Sequence, residues 1–194
     1  MRTVLIMTLV LVLAASVAFA QLPGRIGVFG VQNPTTVDDC AVTDDTAGLL
    51  NIYLVHVDDP SNPGTCATAC QFKAELPGCT TASYLADGAV FGVTIGNSQT
   101  GVSIGYGLNL TTPIHVLTVQ VFASGTTPPC CVYEVGPDPA APSGEIEVVD
   151  CNLDLLFAAG QSGVINPDGS CPCSAIVPAE PSSWGKIKAM YSSD

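Results

Sequence analysis

The run CATACQFKAEL, residues 66–76, decides how this chain is read. Cys70, Phe72, Ala74 and Leu76 fall on one side of an extended backbone, and Gln71, Lys73 and Glu75 fall on the other. Successive side chains of a strand point to opposite faces, so this alternation marks a strand with one face buried and one wet. Similar short runs recur on both sides of it. RIGVFGV (25–31) and LLNIYLVHV (49–57) precede it. AVFGVTI (89–95), GVSIGYG (101–107), PIHVLTVQVFA (113–123), CCVYEV (130–135) and GEIEVVD (144–150) follow. In the last of these Ile146 and Val148 oppose Glu145 and Glu147. LDLLFAA (153–159) fits either a strand or a helical turn. Between the runs stand DDPSNPG, GNSQTG, GPDPAAPSG and NPDGS, where proline presets φ and glycine or aspartate lets the chain reverse. No long amphipathic helix and no repeat of fixed period interrupts the series. The expectation is an all-β fold, an antiparallel β-sandwich of the Ig-like or jelly-roll kind.

The front of the chain, MRTVLIMTLVLVLAASVAFA, has a positive start at Arg2, a short apolar core and an Ala18-Phe19-Ala20 cleavage pattern. That is the form of a secretory signal peptide over residues 1–20, with an apolar core too short to span a bilayer. The expected organisation is then a sandwich domain over 21–173, a proline-bearing linker over 174–181 and a C-terminal docking or sorting tail over 182–194. The mature domain is large enough to bury about 70% of its unfolded surface.

Charge narrows the function. The chain holds 5 basic and 17 acidic residues. Such a field repels nucleic acid and anionic lipid, whose binding needs lysine and arginine. Export makes disulfides the expected state of Cys40, Cys66, Cys70, Cys79, Cys130, Cys131, Cys151, Cys171 and Cys173. Nine is odd, so one thiol is free or bridges to another molecule. Vicinal Cys130 and Cys131 would face opposite ways if extended and so serve different partners. Cys66 and Cys70 are placed to close a small local loop, and Cys171 and Cys173 would point the same way. No C-x-x-C pair favours a thiolate metal site.

Catalytic patterns are sparse. The two histidines, His56 and His115, both lie in strand runs. His56 shares a side with Ile52 and Leu54, and His115 with Leu117, Val119 and Val121. Both read as core or half-buried rings bonded to carbonyls rather than as catalytic bases. GQSG falls one residue short of a nucleophile elbow. Glu145 or Glu147 with Asp150 is the carboxylate set for a hydrolase. The pairs Asp38–Asp39 and Asp58–Asp59 are hard oxygen donors in loops, of the kind that hold Ca²⁺ in extracellular modules. They are equally ordinary turn residues.

The order of features resembles a known family. LLNIYLVHVDD followed by ACQFKAEL is similar to the early strands of cohesin-type sandwiches, and IHVLTVQVFA followed by GEIEVVDC is similar to their later ones. The chain also resembles uncharacterised secreted bacterial proteins that end in a Trp-Gly-x-Ile-Lys tail, here Trp184 to Lys188. The cohesin resemblance implies a jelly-roll or Ig-like sandwich and protein–protein binding. In the tail, Trp184, Ile187 and Tyr191 fall on one face of a short helix if Ser182 or Ser183 caps it, with Lys188 on the flank. The leading expectation is a secreted or cell-surface, non-enzymatic protein that binds a protein partner or assembles with itself. Trp184, Ile187, Lys188 and Tyr191 are its candidate binding residues. An extracellular glycan- or small-ligand-binding module using Ca²⁺ is the alternative, and the hydrolase is third. Apart from that calcium, no cofactor is expected.

Overall fold

The computed structural model describes residues 23–59, 63–171 and 173, except for the side chains of Val37 and Asp38. The expectations for residues 1–20, 174–181 and 182–194 lie outside these residues.

Twelve strands follow in chain order. β1 is Arg25–Phe29, and a 3-10 turn Val37–Cys40 leads into β2, Ala41–Val42. β3 is Ala47–Val57, β4 Cys66–Phe72, β5 Ser83–Ala89 and β6 Val93–Asn97. β7 is Gly101–Thr111, β8 Ile114–Ser124 and β9 Cys131–Tyr133. β10 is Ile146–Asp150, β11 Leu155–Gln161 and β12 Gly163–Ile165. Nine of them form one sheet in the order β5-β8-β3-β1-β11-β10-β4-β7-β6, and β2-β12-β9 form a small second sheet. The nine-stranded sheet rolls over one core, where Ile52, Leu54, Phe72, Ile104, Leu117 and Val148 are at most 1% exposed.

The run quoted first behaves as its alternation requires: Cys70, Phe72 and Ala74 are buried, while Gln71 and Lys73 lie at intermediate depth. Long-range ladders dominate, and nearly all are antiparallel. The exceptions are β1 with β11 and β2 with β12, which run parallel. The β1–β11 pair joins the two halves of the rolled sheet. The seam between edge strands β5 and β6 is fastened at one end by a side chain, because Asp87 accepts bonds from the Ser98 amide (2.6 Å) and hydroxyl (2.8 Å).

Two readings need correction, and one open between two alternatives is resolved. AVFGVTI is not one strand: the chain leaves β5 at Ala89, turns, and begins β6 at Val93, moving from one sheet edge to the other. Gly88 and Gly92 flank that turn, and the exposed SYLADGA strand before it has too mixed an alternation to stand out. LDLLFAA resolves as strand β11 from Leu155 onward. His115 does not share a face with Leu117, because the β3–β8 register shifts between Leu54 and Val55. The extra residue brings both Val116 and Leu117 inside and turns His115 outward, as a β-bulge does.

Four disulfides close the structure: Cys40–Cys173, Cys66–Cys151, Cys79–Cys131 and Cys130–Cys171. Cys66 and Cys70 do not form the local loop their spacing allowed. Cys66 lies where β4 meets the turn after β10, while Cys70 points into the core as a buried free thiol. Cys130 and Cys131 do serve different partners, but Cys130 is left-handed (φ 66°) rather than extended. Four disulfides mark a chain that folds in an oxidising environment. Among the described residues no helix is long and apolar enough to cross a membrane.

Candidate binding face

The sheet half β11-β10-β4-β7-β6 carries apolar side chains on its outer face as well as its inner one. Register aligns them in two rows. One row runs from Val93 through Gly105 and Ala69 to Val149 and Leu155. The other runs from Ile95 through Ser103 and Gln71 to Glu147 and Phe157. Large residues stand at the ends of each row; the middle of the first holds Gly105, Ala69 and Val149, and the middle of the second holds Ser103 with the polar Gln71 and Glu147. Val93 and Ile95 are 58% and 69% exposed, and Leu155 and Phe157 are 52% and 49% exposed. Between them lies a depression of about 180 Å³ floored by Ala69, Ser103 and Gly105. Its lining is almost wholly apolar. The polar groups of the second row are Glu147, which accepts a bond from the Ser143 hydroxyl (2.7 Å), and Gln71, which donates to Asp138 (2.9 Å).

The shape follows from local sequence. Gly105 places no side chain on the floor, and a Cβ there would meet Val93 only at ordinary contact distance, 3.5 Å. The depression is therefore open by composition rather than by backbone constraint. The signal available in the sequence was the double-sided apolarity of LLF in β11, with Val93 and Ile95 apolar at the outer positions of β6. Strands apolar on both faces are normally covered on both, and here the described residues leave one face uncovered.

The acidic residues singled out from the sequence serve the loops they stand in. The Asp39 carboxylate accepts bonds from the Thr35 and Thr36 amides (2.5 and 2.8 Å), and the Thr36 and Thr35 amides hold its pKa below the usual value. Burial alone would raise Asp58, but bonds from the Thr112 hydroxyl and the Gly64 and Thr65 amides outweigh it and lower its pKa. Asp59 also has partners. The Asp38 side chain lies outside the described residues. Among the described residues, Asp39, Asp58 and Asp59 do not converge on a common point with two other ligands. The one convergent set is Cys130, Asp168 and Cys171, whose two sulfurs are already joined to each other.

The hydrolase set does not assemble either. Glu147 lies on the outer face, while Asp150 is buried and accepts bonds from the Asn152 and Asp154 amides (2.8 and 2.9 Å). His56 is fully buried and its Nε2 donates to the Pro23 carbonyl (2.6 Å), which fixes the neutral tautomer. Burial lowers its pKa. The Tyr106 hydroxyl lies 3.4 Å from its Nδ1 and also meets Cys70, whose thiol burial pushes up to about 12. A thiol so protonated is no nucleophile. His115, half-buried, bonds Gln32 and Thr118 and packs edge-on against Tyr53. Trp184, Ile187, Lys188 and Tyr191 lie outside the described residues.

No family model matches this chain, and no curated protein matches it. Two solved structures are similar in fold. One is the sixth cohesin of scaffoldin B from Acetivibrio cellulolyticus, crystallised with a dockerin: 10% identity, TM-score 0.41, covering 74% of this chain and 98% of that one. The other is a cohesin module from a glycoside hydrolase of Clostridium perfringens: 8% identity, TM-score 0.45, covering 76% and 99%. What the geometry itself defines is a disulfide-closed, all-β sandwich with one apolar outer face that the described residues leave open.

Proposed function

We propose that this chain is a non-enzymatic, extracellular or cell-surface binding module, and that it docks a protein segment on the outer face of β11-β10-β4-β7-β6. The observation that carries this reading is the trough between Val93 and Ile95 on one side and Leu155 on the other, with Phe157 exposed beside Leu155 at the end of the second row. A soluble protein seldom leaves so many large apolar residues side by side unless something covers them. The segment that fits is apolar with basic flanks. Fifteen of the seventeen acidic residues lie in the described body, against two of the five basic ones, Arg25 and Lys73. Complementary charge of this kind steers a cationic segment toward the body and disfavours an acidic one.

The test is selection of a displayed library of random peptides on the secreted protein. Selected peptides should carry aromatic or aliphatic residues beside lysine or arginine. Their affinity should fall by at least about tenfold on Ile95→Asp, because a charge then has to be desolvated in the trough. Peptides that bind the Ile95→Asp protein equally well, or no selectable peptide on either the wild type or its Trp184→Ala variant, would overturn the reading.

A further inference from the structure

We infer that the segment held in the trough is the chain's own residues 184–191, seated through Trp184, Ile187 and Tyr191, with Lys188 on the flank of that face directed toward Glu147. The inference rests on the trough being a docking face and names its occupant. Three observations point to this occupant.

Shape comes first. From β6 to β11 there are four strand spacings, so the walls stand roughly 19 Å apart at the backbone. A helix with its side chains is about 10–12 Å across. At its middle the floor carries Gly105, Ala69 and Val149 in one row and Ser103, Gln71 and Glu147 in the other, so the first row leaves depth for one row of large side chains. Trp184, Ile187 and Tyr191 recur at helical spacing and form such a row.

Charge is the second. Three of the chain's five basic residues lie outside the described body, and two of them, Lys186 and Lys188, flank Ile187. Glu147 stands in the trough's second row, paired across the ladder with Phe157. No described cation is bonded to it; its bond is to Ser143. A lysine reaching over Phe157 would meet it.

Reach is the third. Cys173 is tied to Cys40 and packs with Phe29, Val55 and Val164 on the outer side of β1 and β3. β1 is hydrogen-bonded to β11, whose Leu155 forms one wall of the trough with Phe157 exposed beside it. At standard strand spacing and rise, the trough centre lies roughly 25 Å from Cys173. Residues 174–183 span up to about 33 Å when extended. A tether of that length presents its end at millimolar effective concentration, which favours capture within one chain over exchange between chains. A segment this short does not hold a helix alone in water, so seating and helix formation are coupled.

Trp184 is the only tryptophan, so the fluorescence of the full secreted chain reports its surroundings directly. In the wild type its emission should be that of a shielded indole. Ile95→Asp, Phe157→Asp and the trough-filling Gly105→Leu should each move it to longer wavelength and open it to a soluble quencher. Leu49→Asp and Phe122→Asp change exposed apolar residues outside the trough and should leave it unmoved. Trp184→Ala should vacate the trough, so peptides selected as above should bind that variant about tenfold more tightly or better. Emission that is solvent-exposed in the wild type and indifferent to the trough variants would overturn the inference. If peptide binding then still depends on Ile95, the docking face stands and only its occupant was wrong. Emission that changes with protein concentration, with a dimer in sedimentation equilibrium, would overturn capture within one chain in favour of exchange between copies.

Discussion

Two apolar parts of the rolled sheet's outer face have been treated differently. On β1 and β3, Phe29 and Val55 are covered by Val164 of β12 and by the disulfide-bonded Cys40 and Cys173, and are at most 2% exposed. On β6 and β11, Val93, Ile95, Leu155 and Phe157 stand about half exposed or more. The glycines repeat the contrast. In the covered part a Cβ on Gly30 would lie 1.9 Å from the Ala41 carbonyl oxygen, and one on Gly163 would lie 2.7 Å from a Val28 methyl. In the open part a Cβ on Gly105 would merely touch Val93. One region is close-packed and holds the structure; the other has room, and its apolar surface contributes little to folding as it stands.

That difference can be attacked directly. The largest effect belongs in the covered part. Phe29→Ala removes a buried aromatic and should cost about 3–5 kcal/mol, a fall in Tm of roughly 10 °C or more. Gly30→Ala should match it, since backbone cannot yield as a side chain can. Thermal melts that leave either variant near wild type would erase the distinction.

The staples come next. Replacing Cys40 and Cys173 together with alanine frees the cover from its anchor and should cost about 2–4 kcal/mol. Replacing the free Cys70 with alanine tests a buried position with no staple, and the variant should keep all four disulfides in a non-reducing peptide map. A rearranged map would show that Cys70 competes for partners.

A smaller effect is confined to a pH window. His56 is buried neutral and its pKa lies below the ordinary 6.5. The unfolded chain therefore takes up a proton that the folded one resists. The stability so supplied is fully present above about pH 6.5 and is lost as pH falls toward the depressed folded value. Tm should fall between about pH 7 and pH 5, and His56→Gln should flatten that fall. Asp58, whose pKa is lowered, acts in a separate window: its contribution is present above about 3.8 and lost below it. An unchanged slope in His56→Gln would assign the fall to other groups, with half-buried His115 the first to examine.

The smallest effects belong in the open part. In the chain lacking residues 182–194, Phe157→Ala and Gly105→Val should each move stability by no more than about 0.5 kcal/mol. Valine suits a strand, so the second should be neutral or slightly stabilising. A large loss in either, read by denaturant melts, would mean that the trough is as tightly packed as the covered face.

Much of this was legible beforehand. Period-two alternation in residues 66–76, 113–123 and 144–150 located strands because one face of each is buried and the other is not. Where alternation fails, the reading failed with it. The bulge at Val116 reversed His115, and the turn between Ala89 and Val93 was hidden because apolar residues run through it. The trough escaped for a related reason. A strand apolar on both sides says that both sides want cover, but not whether cover arrives.

Spacing, composition and cysteine count determined that this chain is an oxidised, all-β protein with one sulfur left over, because these properties depend on neighbours within a few residues and on the chain's total chemistry. Which cysteine is left over, which histidine faces inward and which apolar face the described residues leave uncovered were decided only by the tertiary structure. Each depends on ladder register and on residues more than ten positions apart: Cys66 with Cys151, Leu54 with Leu117, Val93 with Gly105 and through it Ala69 and Leu155. Such pairings are set by which packing of the whole sheet buries the most apolar surface, a quantity no short window of sequence contains.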